Sequence, residues 1–227
     1  SYCPVRLERR IEFPAGHVFA IAASGVLAAK TGEAMAKYNR ASALARAVVE
    51  VWNEATGHGD AHMAAVLAGD DAIETADRMR QVLAAQPADG PFTPRDLLAR
   101  FEQFLTENEQ IVPPAGSALA DGLIDEFGQF VDRSQEFAEK LLGNQVPETI
   151  HLARSARDLG APAACSFGAG FGGSVWALIP QHHAAPFLHQ WSAKYKQAFP
   201  APFTRASFFL TRPGPSTFEL ARVPTPD

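Results

Sequence analysis

Apolar residues recur along this chain with two different periods, and the change from one to the other marks its elements. His17-Val18-Phe19-Ala20-Ile21-Ala22-Ala23 is a nearly unbroken apolar run that ends at Ser24-Gly25. A short run of this kind, bounded by turn residues, predicts a buried strand. Before it, Val5 to Phe13 mixes apolar residues with Arg and Glu in a strand-like opening, and Pro14-Ala15-Gly16 supplies a turn. After it the period lengthens. Met35, Tyr38, Ala41, Ala45, Val48, Val49 and Trp52 recur mostly at steps of three and four, the stripe of an amphipathic helix. Thr31 can cap this helix, and Thr56-Gly57-His58-Gly59 stops it.

Residues 61 to 86 predict two shorter helices broken at Gly69-Asp70, followed by a loop at Gln86-Pro87-Ala88-Asp89-Gly90-Pro91. Thr93 then precedes Pro94 at a first helical position, with Asp96 in the first turn and Phe101, Phe104 and Leu105 making the helix amphipathic. Beyond Val112-Pro113-Pro114, the residues Leu119, Leu123, Phe127, Phe130, Ser134, Phe137 and Leu141 predict one long, core-facing stripe.

The final third changes character. Pro147 to Leu159 reads as a helix, and Gly160-Ala161-Pro162 turns the chain into a strand at Ala163–Phe167. A glycine segment, Gly168 to Gly173, leads to strand-like Ser174–Ile179; Gln181 to Phe199 reads as a helix with Phe187, Leu188, Trp191 and Tyr195 on one face. Phe203–Leu210 and Thr217–Ala221 are expected to close the chain as strands. Helices set between short, mostly non-consecutive strands predict an α+β fold: a small, mostly antiparallel sheet covered by helices on one face.

Composition narrows the function classes. The 227 residues are 47% hydrophobic and 20% charged, which excludes wholesale disorder. The net charge of −5, with Lys and Arg scattered, leaves no electrostatic footprint for nucleic acid. No apolar run is long enough for a membrane span, and Ser1-Tyr2-Cys3-Pro4-Val5-Arg6 has no signal-peptide character. Cys3 and Cys165 are too few for a disulfide framework or a zinc cluster. A cytoplasmic protein without nucleic-acid or membrane partners is the expectation.

The glycine segment is the specific chemical signal. Gly168, Gly170 and Gly173 satisfy G-x-G-x-x-G, but a dinucleotide site needs a helix directly after the glycines and an acid about 20 residues on. Here a strand-like run follows, and Ala193 stands where the acid is sought. No Lys-Ser/Thr follows the last glycine, so it is not a P-loop either. Four glycines in six residues permit positive φ and close approach. Between two strands they predict a wide turn whose N–H groups line a cleft and favour anions; a tight hairpin without a ligand is the plainer alternative.

Other candidates read as structural. His58 and His62 around Asp60 lack a third ligand, and Gly57 and Gly59 disturb helical spacing. His182-His183 reads as a surface helix start, and Cys165 as a buried thiol without an adjacent base. Glu107, Glu109, Asp121 and Asp125 read as solvated helix acids.

Gly160-Ala161 followed by Gly168-Ala169-Gly170-Phe171-Gly172-Gly173-Ser174 resembles the third, C-terminal motif of the galactokinase branch of the GHMP small-molecule kinases. Ser24-Gly25-Val26 after a strand, Lys37-Tyr38-Asn39-Arg40 in the next helix, and Phe127-Gly128 with Ser134 beyond it resemble the same family in the same order. The resemblance spans roughly residues 17 to 180. It implies a GHMP C-terminal-type domain over residues 31–227, with residues 1–30 as the end of a preceding lobe or its connecting strands. It also implies phosphoryl transfer from ATP with Mg2+ to a monosaccharide hydroxyl. By the same resemblance, Tyr38 and Arg40 are substrate-binding candidates, and Gly168, Ala169, Gly170, Phe171, Gly172, Gly173 and Ser174 form the active-site loop.

The departures are informative. The family's Arg…Gly-Glu-His-x-Asp motif, its Gly-Leu-Ser-Ser-Ser phosphate loop and its aspartate base have no counterpart in these residues, so no catalytic residue is assigned to them. Asp132-Arg133-Ser134-Gln135 replaces the usual Ser-His pair, and Ser166-Phe167 replaces Thr-Gly. The chain also opens without Met. The expectation is the C-terminal part of a sugar kinase, inactive alone and partnered by the N-terminal lobe of the same protein. The alternatives are a non-catalytic sugar- or nucleotide-sensing module of the same family, and a GHMP kinase for another sugar.

Overall fold

The structure, a computed structural model, describes residues 7, 9–28, 33–69 and 71–214. Four strands, β1 (His17–Ala23), β2 (Ala163–Phe167), β3 (Ser174–Pro180) and β4 (Ser207–Thr211), form one sheet in the order β2-β3-β1-β4. Every pairing is antiparallel. β1 is an inner strand, flanked by β3 and β4, so residues 17–23 belong to the same sheet as the C-terminal strands. Its alternation puts Val18, Ala20 and Ala22 fully inside, where helices lie directly on the backbone.

One face of the sheet meets α7 (Pro147–Asp158) and α8 (Ala184–Ala198), with Leu152, Ala156, Phe187, Trp191 and Tyr195 filling the space between. Trp191 is fully buried because its Nε1 donates to the carbonyl of Leu152 at 3.0 Å, which satisfies the indole. The opposite face is not bare, contrary to the expectation. α6 (Ile124–Phe137) packs Phe127 and Val131 against Ala163, Leu178 and Trp176 there, with Phe13 and Phe19 beside them.

A second core lies apart from the sheet. α1 (Glu33–Thr56), α2 (Met63–Val66), α3 (Ala72–Ala84) and α4 (Pro94–Thr106) enclose Val48, Trp52, Met79, Leu83 and Phe101. Thr93 starts α4 with a capping box: its side chain accepts from the Asp96 N–H, and the Asp96 carboxylate accepts from the Thr93 N–H, both at 3.2 Å.

The long stripe expected after Val112 is interrupted. α5 (Val112–Ala120) ends at Asp121-Gly122, where Gly122 has φ +73°, and α6 begins afresh at Ile124. α6 buries Gly128, Val131 and Gln135, whereas Leu123 is exposed and Phe130 and Phe137 are only partly covered. The reason is steric: a Cβ on Gly128 would stand 1.9 Å from the carbonyl oxygen of Pro162, so the helix sits on β2 through its glycine. Wider turns of π type, Glu107–Ile111 and Ala138–Leu142, follow α4 and α6. At the end, Phe203 closes a short helix, α9 (Pro200–Phe203), and only Ser207–Thr211 is strand. The expected Thr31 cap and Thr217–Ala221 strand lie outside the described residues.

Candidate active-site loop

Residues 168–173 connect β2 to β3 by a loop in which Gly168, Gly170, Phe171, Gly172 and Gly173 all have positive φ. Two of these glycines are required by space as well as by backbone angle. A Cβ on Gly170 would lie 2.2 Å from the Asn144 carbonyl oxygen, and one on Gly172 would lie 2.7 Å from that of Val26. Phe171 is the one non-glycine with positive φ among the described residues, at +57°.

Two of the loop amides are engaged by backbone carbonyls. Phe171 N–H donates to the Asn144 carbonyl at 2.5 Å and Gly173 N–H to that of Val26 at 3.0 Å. Among the described residues, the N–H groups of Gly168, Ala169, Gly170 and Gly172 have no backbone acceptor, and of these residues Gly168 and Ala169 are exposed. Exposed amides without an acceptor can receive an anion. The described residues contain no group of three His, Cys, Asp or Glu side chains able to hold a metal.

Tyr38 comes to this loop from α1. Its hydroxyl donates to the Gly170 carbonyl at 2.9 Å, and its ring meets Phe171 edge-on at 5.1 Å. Lys37 stands beside it with Nζ 5.7 Å above the Phe171 ring. Arg40, the other substrate candidate, points elsewhere: it pairs with Asp96 at 3.1 Å and lies 5.0 Å above the Phe92 ring. Helical geometry separates the two, since residues two apart face different directions. Ser174 lies at the start of β3, opposite Phe167 and Ala23.

Asn144, which the sequence reading did not single out, is buried against the loop. Its Nδ2 donates to the Ala169 carbonyl at 3.3 Å. The divergent pair Gln135 and Ser166 also meet: Gln135 Oε1 accepts from Ser166 N–H at 2.9 Å and from Ser166 Oγ at 3.1 Å. This contact caps outward-facing backbone on the sheet-edge strand β2. Ser134 donates to Glu107 Oε1 at 2.7 Å, so Glu107 is not simply a solvated acid.

Cys165 is inert. Burial, reinforced by the nearby Glu107 charge, pushes its thiol up to about 12, far from thiolate formation at neutral pH. His62 caps α2, its Nδ1 accepting from Ala65 N–H at 3.0 Å, and Asp60 accepts from Trp52 Nε1 at 3.2 Å. His58, His62 and Asp60 therefore serve local structure.

Residues 117–197 match the family described as GHMP kinases C terminal. Among solved structures, Lactococcus lactis galactokinase complexed with galactose aligns with a TM-score of 0.69 at 21% identity, over 89% of this chain and 46% of that one. L. major mevalonate kinase in complex with R-mevalonate aligns with a TM-score of 0.47 at 14% identity, over 90% of this chain and 45% of that one. Comparison with curated proteins finds no match. The chain thus spans less than half the length of the galactokinase whose fold it shares.

Proposed function

We propose that this chain, a galactokinase-like C-terminal portion of the GHMP kinase type, forms one wall of a sugar kinase's active-site cleft. In this reading the whole protein transfers the γ-phosphoryl group of ATP to a monosaccharide hydroxyl. Tyr38 faces the sugar, and the Gly168–Gly173 loop with Ser174 borders the sugar and phosphates. ATP with Mg2+ supplies the phosphoryl group. Phosphoryl transfer of this kind depends mainly on positioning and charge stabilisation, which free amides and the nearby Lys37 ammonium favour. The base and the loop that grips the triphosphate belong to the other lobe.

The observation that carries this reading is the hydrogen bond from Tyr38 to Gly170. It joins two segments, 132 residues apart in sequence, that resemble galactokinases for separate reasons. Arg40 lies two residues on from Tyr38 and pairs with Asp96.

A coupled ATP-consumption assay against a monosaccharide panel tests the reading, using the 227-residue chain alone and joined to an N-terminal GHMP lobe. The expected result is turnover only with both lobes, and a fall in kcat/KM of about tenfold in Tyr38→Phe, the loss of one hydrogen bond to substrate or loop. Robust turnover by the chain alone, or none with any sugar from the two-lobe protein, overturns it.

A further inference from the structure

We infer that Asn144 is the positioning residue of the glycine loop and acts through that loop on Tyr38; its functional meaning rests on the proposed sugar-facing role of Tyr38. A loop with five positive-φ residues, four of them glycine, has little conformational preference of its own. Its shape must come from what it touches. Asn144 touches three successive positions. Its side-chain amide donates to the carbonyl of Ala169, its backbone carbonyl accepts from Phe171, and the α-carbon of Gly170 fits under both because it has no Cβ.

The Asn144 side chain is itself oriented. Gln145 Nε2 donates to Asn144 Oδ1 at 2.9 Å, and Gln145 Oε1 accepts from Thr149 Oγ1 at 2.9 Å. Thr149 is fully buried in the first turn of α7, where its Oγ1 also accepts from Val146 N–H at 3.2 Å. With Oδ1 engaged by a donor, Nδ2 is left for the Ala169 carbonyl; the reverse orientation would set oxygen against oxygen. Downstream, the carbonyl of Gly170 receives the Tyr38 hydroxyl. The chain of contacts therefore runs from the α7 cap, through Asn144, to the loop and then to Tyr38.

Asn144→Asp isolates the donor, because it keeps the shape and the acceptor for Gln145 while placing a carboxylate against the Ala169 carbonyl. The measurement is residue-resolved amide exchange by NMR on the 227-residue chain, expressed as protection relative to each amide's intrinsic rate. At pH 7, protection of the Phe171 and Gly173 amides is expected to fall about tenfold, while amides within β1 and β3 keep theirs. Acidification that protonates the introduced carboxyl restores a donor and the lost protection, a pH response that the parent chain lacks.

A double-mutant cycle with Tyr38→Phe is expected to be non-additive, since both changes act on Gly170. Unchanged protection, a loss spread evenly over the sheet, absence of the acid rescue, or additivity overturns the inference. If Asn144→Asp does not fold, Gly170→Ala supplies the same test, since its Cβ pushes the loop off Asn144; intact loop protection in that variant overturns the inference equally. No readout uses sugar or ATP, so failure of the kinase reading is seen separately in the turnover assay.

Discussion

His151 on α7 lies against the rings of Tyr195 and Phe199, with centroids 6.3 and 5.3 Å away. Its Nε2 is buried and has no hydrogen-bond partner among the described residues. Burial, and then the charge of Lys194, lowers its pKa below the ordinary 6.5, against a smaller opposing pull from Asp158. A group whose folded pKa is depressed contributes stability that is complete above the unfolded value and is lost as pH falls through the folded one. The urea midpoint is therefore expected to drop as pH is lowered below 6.5, and His151→Phe should flatten that part of the profile. An identical acid slope in the variant would refute the assignment. At this scale the sequence was only partly legible. Tyr38 and the glycines carry chemistry in their side chains, or in the lack of them. Asn144 works through contacts that its side-chain amide and backbone carbonyl make with a loop 25 residues on, which no residue pattern advertises.

Among the elements, α6 departs most from its pattern. The spacing of Leu119 through Leu141 suggested a continuous aromatic stripe, but Gly122 breaks the helix and Gly128 decides which face turns inward. Arg157 reinforces this seat: it forms a two-pronged pair with Asp132 of α6, both bonds at 2.8 Å, and also donates to the carbonyls of Ala161 and Pro162. Gly128→Ala forces a methyl group into the Pro162 carbonyl. The strain and the shift of α6 should cost about 2–4 kcal/mol in chemical denaturation. Gly57→Ala is the control. Gly57 has φ +75° but nothing within 4 Å of its would-be Cβ, so only the backbone penalty of about 1 kcal/mol applies. Equal losses in the two variants would mean that close packing on β2 does not hold α6. Elements whose signals are local were the readable ones. The capping box at Thr93 and Asp96 depends on residues three apart, and it formed as spaced.

Taken whole, the molecule has a sheet-centred core and a helical core, joined where Tyr38 meets the loop and where Ser134 reaches Glu107. Between the cores α4 also runs on through Glu107–Ile111 into α5 and packs against Ala138–Leu142, whereas α3 packs on α1 and α4, so damage centred on α3 should be felt first in the helical core. Leu83→Ala, at a fully buried site in the helical core, is expected to cost about 2–5 kcal/mol. Native-state exchange should register that loss in α1, α3 and α4 and a smaller one in β1 and β3; an equal loss in both would mean one cooperative core. Periodicity, capping and turn chemistry in the sequence determined where most helices and strands lie, because those preferences act over a few residues. Family-like motifs likewise singled out Tyr38 and the glycine loop. Tertiary structure alone decided that β1 lies inside the sheet, that α6 covers its second face, that Arg40 turns to Asp96, and that Asn144 holds the loop. Each of these is a contact between segments distant in sequence. Such contacts are chosen by the mutual fit of surfaces and the pairing of buried polar groups, which local spacing does not encode.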